Sequence, residues 1–172
     1  MKRSTGCTGV LLSLMVLFIG VGCGSPVPIS DAENAPFDEQ LVGRWQATQT
    51  ADETVDMLIL QFNDREYYVE LREVKPDPSN EEILRLRAYI TDVDGHRFIN
   101  AQTIQDEREY YFYTYALEPN GRLMIQELRD VEPQKINEFE SSEALLTFVR
   151  QNVDNPALYG ETTSLVRMPM AN

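Results

Sequence analysis

Tyr110-Tyr111-Phe112-Tyr113-Thr114-Tyr115-Ala116-Leu117, then Glu118-Pro119-Asn120-Gly121, then Arg122-Leu123-Met124-Ile125, is the stretch that decides the fold. Aromatic residues in this density favour a pleated, half-buried strand over Glu109 to Leu117. Asn120-Gly121 accepts the positive φ of a tight turn and closes that strand onto a second one, Arg122 to Arg129. Alternation places Tyr111, Tyr113 and Tyr115 on one face, continued by Leu117, and Tyr110, Phe112 and Thr114 on the other. Both faces are aromatic, so one is expected to point into a core and the other to lie under a further element. A single bulge before Tyr110 would exchange the two.

The same hairpin grammar runs through the rest of the chain. Strands are predicted at Gly43 to Thr50, Val55 to Phe62 and Glu66 to Glu73, the last two joined by the polar turn Asn63-Asp64-Arg65. Two prolines remove ladder donors from Lys75 to Asn80, which reads as a loop. Leu84, Leu86, Ala88 and Ile90 alternate with Arg85, Arg87 and Thr91 in a fourth strand, and Asp94-Gly95 turns it onto Phe98 to Gln105. Ser141 to Arg150 breaks the pattern. Leu145, Leu146, Phe148 and Val149 form a helical stripe, with Ser141 as N-cap and Glu143 at the positive end of the dipole. Thr162 to Met168 supplies a last strand. Eight mostly sequential strands, with turn signals at intervals of roughly 8–12 residues, predict an all-β, antiparallel up-and-down barrel with one helix before its last strand.

Gly43-Arg44-Trp45, opening the first strand with the chain's single tryptophan, resembles the Gly-x-Trp motif of lipocalins and the broader calycin superfamily. The resemblance implies that Trp45 packs across one end of the barrel, with Arg167 of the last strand as a basic partner. The helix precedes the last strand here, whereas lipocalins carry it after the eighth, so the likeness is to calycin-like barrels in the wider sense.

The N-terminus reads separately. Lys2 and Arg3 precede the apolar run Val10 to Val21, which ends in Gly22-Cys23-Gly24-Ser25. Charge, short apolar segment and small residues in that order form an export signal, and the run is shorter than the roughly 20 residues of a spanning helix. The small residues ending at a cysteine resemble the bacterial lipoprotein signal. That resemblance implies a signal peptide over residues 1–22, removal of which leaves Cys23 acylated with palmitate-type chains. It further implies a place in the cell envelope, with Gly24 and Ser25 pointing to the outer membrane, facing the periplasm. Gly20 stands where that signal usually has Leu. Ordinary cleavage near Gly22 and an uncleaved anchor are the alternatives. Residues 23–36, with Pro26, Pro28 and Pro36 among small polar residues, read as a tether, and residues 37–172 as the barrel domain.

Loss of residues 1–22 would take the formal charge from −13 to −15. Such acidity argues against nucleic acid, whose phosphates need Lys and Arg, and leaves acyl chains at Cys23 as the membrane contact. Cys7 lies in the signal, so the mature domain has no disulfide.

Candidate chemistry is thin. His96 is the single histidine and follows a turn, with no second histidine to build a zinc site. Asp92, Asp94 and Gly95 begin like a calcium loop, but Phe98, Ile99 and Ala101 occupy the downstream ligand positions. Asp52, Glu53 and Asp56, and Glu138, Glu140 and Glu143, read as solvated clusters. No catalytic residue, metal or cofactor is expected. Tyrosines joining apolar area to a hydroxyl suit a ligand cavity. The expected lumen face is Tyr111, Tyr113 and Tyr115, joined by Phe62 and Phe98. Two functions follow. One is a non-enzymatic binding protein for a small apolar ligand in the lumen. The other is an interaction or inhibitor module for an envelope protein, with the barrel packed solid. Cavity volume separates them, a dry lumen of a few hundred cubic ångström favouring the first.

Overall fold

The computed structural model describes residues 24–48, 54–74, 83–104 and 108–170. Residues 1–22, Cys23, Asp52, Glu53 and the loop from Lys75 to Asn80 lie outside them. The strands are β1 (Gly43–Thr48), β2 (Thr54–Gln61), β3 (Glu66–Val74), β4 (Ile83–Val93), β5 (His96–Thr103), β6 (Tyr110–Leu117), β7 (Arg122–Leu128) and β8 (Tyr159–Met168). The helix α1 (Ser142–Asn152) stands between β7 and β8. Each strand pairs antiparallel with the next, and β8 returns to β1 through Gln46↔Val166, Trp45↔Arg167 and Arg44↔Met168. The result is the expected eight-stranded, closed up-and-down barrel. Among the described residues no helix is long and apolar enough to cross a membrane.

Turn chemistry sets the register. Asp94 and Gly95 take φ +53° and +86°, the pair of positive angles that matches hairpin twist, and Gly121 takes +80°. Asp92 Oδ1 accepts from Gly95 N at 2.9 Å, so this aspartate caps a turn.

Two apolar cores share the sheet. Strand alternation sends Trp45, Ala47, Met57, Ile59, Val69, Leu71, Leu86, Ala88 and Ile90 into the barrel. On the outer surface, Val93, Phe98, Phe112 and Leu128 meet Leu145, Phe148 and Val149 of α1, with Ile29. Ser141 Oγ accepts from Ala144 N at 3.3 Å and caps the helix. At its last turn Arg150 reaches Asp94 at 3.2 Å and ties α1 to the β4–β5 turn.

The expected tether is corrected. Residues 24–30 lie folded on the barrel, with Ser25 and Ile29 fully buried. Ser25 and Tyr110 exchange backbone hydrogen bonds of 2.9 Å each. Proline fixes φ in an extended segment and removes a donor. With prolines at positions 26 and 28, the strap donates through Ser25, Val27 and Ile29. Val27 N binds Ser25 Oγ at 3.3 Å, and Ile29 N binds Asn100 Oδ1 at 2.9 Å. The folded domain therefore begins by Gly24, ahead of the expected Phe37.

Candidate binding site in the barrel interior

On β6, Tyr111, Tyr113 and Tyr115 pack with the inner core, while Tyr110 and Phe112 pack with the outer one under α1. No bulge has exchanged the faces. Phe98 is a correction. It lies opposite Thr114 of β6, and directly opposed residues share a face, so it joins the outer core; Ile99 and Ala101 carry the β5 lining instead. Phe62 is a second correction. It lies one residue past β2, on the opposite parity to Val55, Met57 and Ile59, and is 63 % exposed.

Among the described residues, the apolar side chains behind the plugged end pack closely. The cavity described between them is about 50 Å³, bounded by Met57, Ile59, Val69, Leu86, Tyr113 and Ile125 among other apolar residues. Ligand pockets are roughly 300–1,000 Å³. That cavity has the apolar lining that a ligand would need, without the room.

One end of the barrel is shut by residues 37–45. Leu41, 2 % exposed, sits in a short turn of 3-10 helix over the inner core. Trp45 is 1 % exposed, and its Nε1 donates to Leu41 O at 2.9 Å. The Arg167 guanidinium lies over the indole, 4.6 Å from the ring centre, and donates to Gln40 O. Gly43 holds φ +149°, an angle that side chains disfavour, and a Cβ there would sit 3.6 Å from Arg167 Nη1. Asp38 completes the closure. Its Oδ2 accepts from Tyr115 Oη at 3.0 Å and Arg97 Nη1 at 3.2 Å, and its N donates to Tyr67 Oη at 2.6 Å. Phe37 stacks on Tyr67 with ring centres 4.6 Å apart. Sequence reading found Gly43, Trp45 and Arg167 but missed Asp38, because nothing local links it to tyrosines 29 and 77 residues away.

Burial pushes Tyr67 up to about 12, opposed by its hydrogen bond to the Asp38 backbone. Burial likewise raises Tyr115 to about 12, against the pull of Arg97. Tyr113 is held well above the usual range by burial, then by the charge of Glu127. Unfolded tyrosines ionise near 10, so above that pH the native state holds protons the unfolded chain has released. Stability should be unaffected by these groups below about pH 10 and should fall as pH rises from 10 towards 12. Tyrosinate absorbance followed beside circular dichroism checks this. A subset of tyrosines should ionise together with loss of β signal; a single wave for all of them near 10 on an intact barrel would contradict it.

The other candidates have structural surroundings. Asp56 pairs with Arg44 at 2.6 Å and accepts from Gln46 Nε2 at 2.8 Å. Glu138 meets Lys135 at 3.5 Å, and His96 is exposed at the start of β5. A larger concavity lies outside the barrel. It is a groove of about 630 Å³ along the β1–β8 seam, lined by Gln46, Thr48, Arg122, Thr162, Ser164 and Val166 among others.

These features define a closed β-barrel with an apolar inner core and one plugged end. No protein-family model, curated protein or solved structure matches the chain.

Proposed function

We propose that this chain is an exported, lipid-anchored protein whose packed, lipocalin-like barrel serves as a non-enzymatic interaction or inhibitor module for another envelope protein. The small size of the cavity described in the inner core supports this choice between the two expected functions. A cavity of about 50 Å³ takes no fatty-acid-sized molecule. The tyrosine-rich strand is not the working surface either, since its inner face lines the core and Tyr110 and Phe112 lie under the strap and helix. That leaves the acidic exterior and the seam groove. A mature charge of −15 favours a partner surface rich in Lys and Arg, and it speeds encounter more than it strengthens the complex. The anchor rests on the sequence context of Cys23, and an outer-membrane place facing the periplasm on the residues after it.

Native mass spectrometry of the protein purified from its own membrane tests both halves. The expected species is the chain from Cys23 onward plus its acyl chains, with no small molecule retained. A stoichiometric lipid or other apolar molecule surviving in the spectrum would return the ligand-carrier reading. An unmodified cysteine would remove the anchor.

A further inference from the structure

Cys23 is joined directly to the docked strap, with no free chain between. Gly24 N donates to Glu109 Oε2 at 3.2 Å, and a Cβ on Gly24 would lie 2.5 Å from Glu109 Cβ. Ser25 adds to β6 where that edge is open, because β7 pairs with β6 only from Tyr113↔Glu127 to Leu117↔Leu123. The chain then runs along the outside of the barrel. Ile29 is buried in the outer core, Ser30 O accepts from Tyr89 Oη at 2.5 Å, and Ser30 Oγ lies 2.6 Å from Thr91 Oγ1. Asn100, itself fully buried, bridges the two by accepting from Ile29 N and donating to Thr91 Oγ1 at 2.8 Å. The strap thus starts at the end of the barrel where β6 begins. It finishes at the other end, where Asp38 is held by Tyr67, Tyr115 and Arg97.

We propose that the strap makes the anchor directional. Acylated Cys23 holds the barrel end formed by Thr54, Val74, Thr103 and Tyr110 against the bilayer, and turns the end plugged by Trp45 towards the aqueous compartment. This rests on the anchor reading given above. A 13-residue flexible tether would span roughly 20 Å and let the domain tumble. Here residues 24–30, the first half of that length, are docked on the barrel. The acyl chains leave a point one peptide bond from Gly24, and acyl chains enter the bilayer from its surface. Net negative charge gives the domain no attraction to anionic lipid. The barrel face offered to a soluble partner would therefore be the plugged end and the walls beside it.

The test uses the full acylated protein in vesicles of phosphatidylethanolamine and phosphatidylglycerol. Arg108→Cys, beside Tyr110, and Asn120→Cys, in the opposite turn, each carry a fluorophore, and quenching by headgroup-labelled lipid is compared. Position 108 should be quenched severalfold more strongly than position 120. Insertion of a ten-residue Gly-Ser linker between Gly24 and Ser25 should erase the difference. Equal quenching in the acylated protein, or a difference that survives the linker, overturns the orientation. Absence of acyl mass on Cys23 overturns the anchor reading itself, and the orientation with it.

Discussion

Replacing Trp45 with alanine is expected to destabilise the domain by about 3–5 kcal/mol, the cost of truncating a large aromatic in a core. Three losses coincide at that position. The indole is 1 % exposed, so nearly its whole surface returns to water or to a void. Its Nε1 is the donor to Leu41 O at the turn that plugs the barrel. The Arg167 guanidinium loses the ring it lies over, a contact worth about 0.5–1 kcal/mol at exposed sites. Urea denaturation followed by far-UV circular dichroism measures the sum. A loss below about 1 kcal/mol would mean that residues 37–45 do not close the barrel.

Tyr113→Ala should cost on the order of 3 kcal/mol, because the residue is a packed wall of the lumen. A cavity-lining residue in a ligand carrier has open space on one side and tolerates truncation. Tyr113 is 7 % exposed and faces Ile99 of β5 and Glu127 of β7 across its two pairings. Truncation should leave a void, with neighbours such as Met57 and Ile125 only partly relaxing into it. Denaturant midpoints read the effect. Unchanged stability in the variant would show a lumen with more freedom than its about 50 Å³ implies.

Much of the barrel was legible because its signals are local. Asp94-Gly95 and Asn120-Gly121 specify their turns by backbone preference, and alternation in β4 and β6 assigns inner and outer faces within one strand. Ser141 and the stripe of Leu145, Phe148 and Val149 mark α1 in the same local way. Errors came where a face or a contact is fixed by a partner far along the chain. Phe98 faces outward because of its register with Thr114, which no pattern within β5 reveals. Segment 24–30 has the composition of a tether, and its short Val27–Ile29 alternation gains meaning only once the open edge of β6 is seen. Interior volume is the least legible property. The same alternation describes an empty lumen and a full one, and only the sizes of Leu41, Met57, Tyr113 and their neighbours, brought together from six strands and a turn, decide between them.

The reading of the barrel as closed to ligands is tested most directly by titrating the mature domain with a fluorescent long-chain fatty acid and reading energy transfer from Trp45. No saturable one-to-one binding is expected through concentrations of about 10 µM. Saturable binding with a micromolar Kd, about −8 kcal/mol, that an unlabelled fatty acid displaces would contradict the packed barrel and the interaction-module reading built on it.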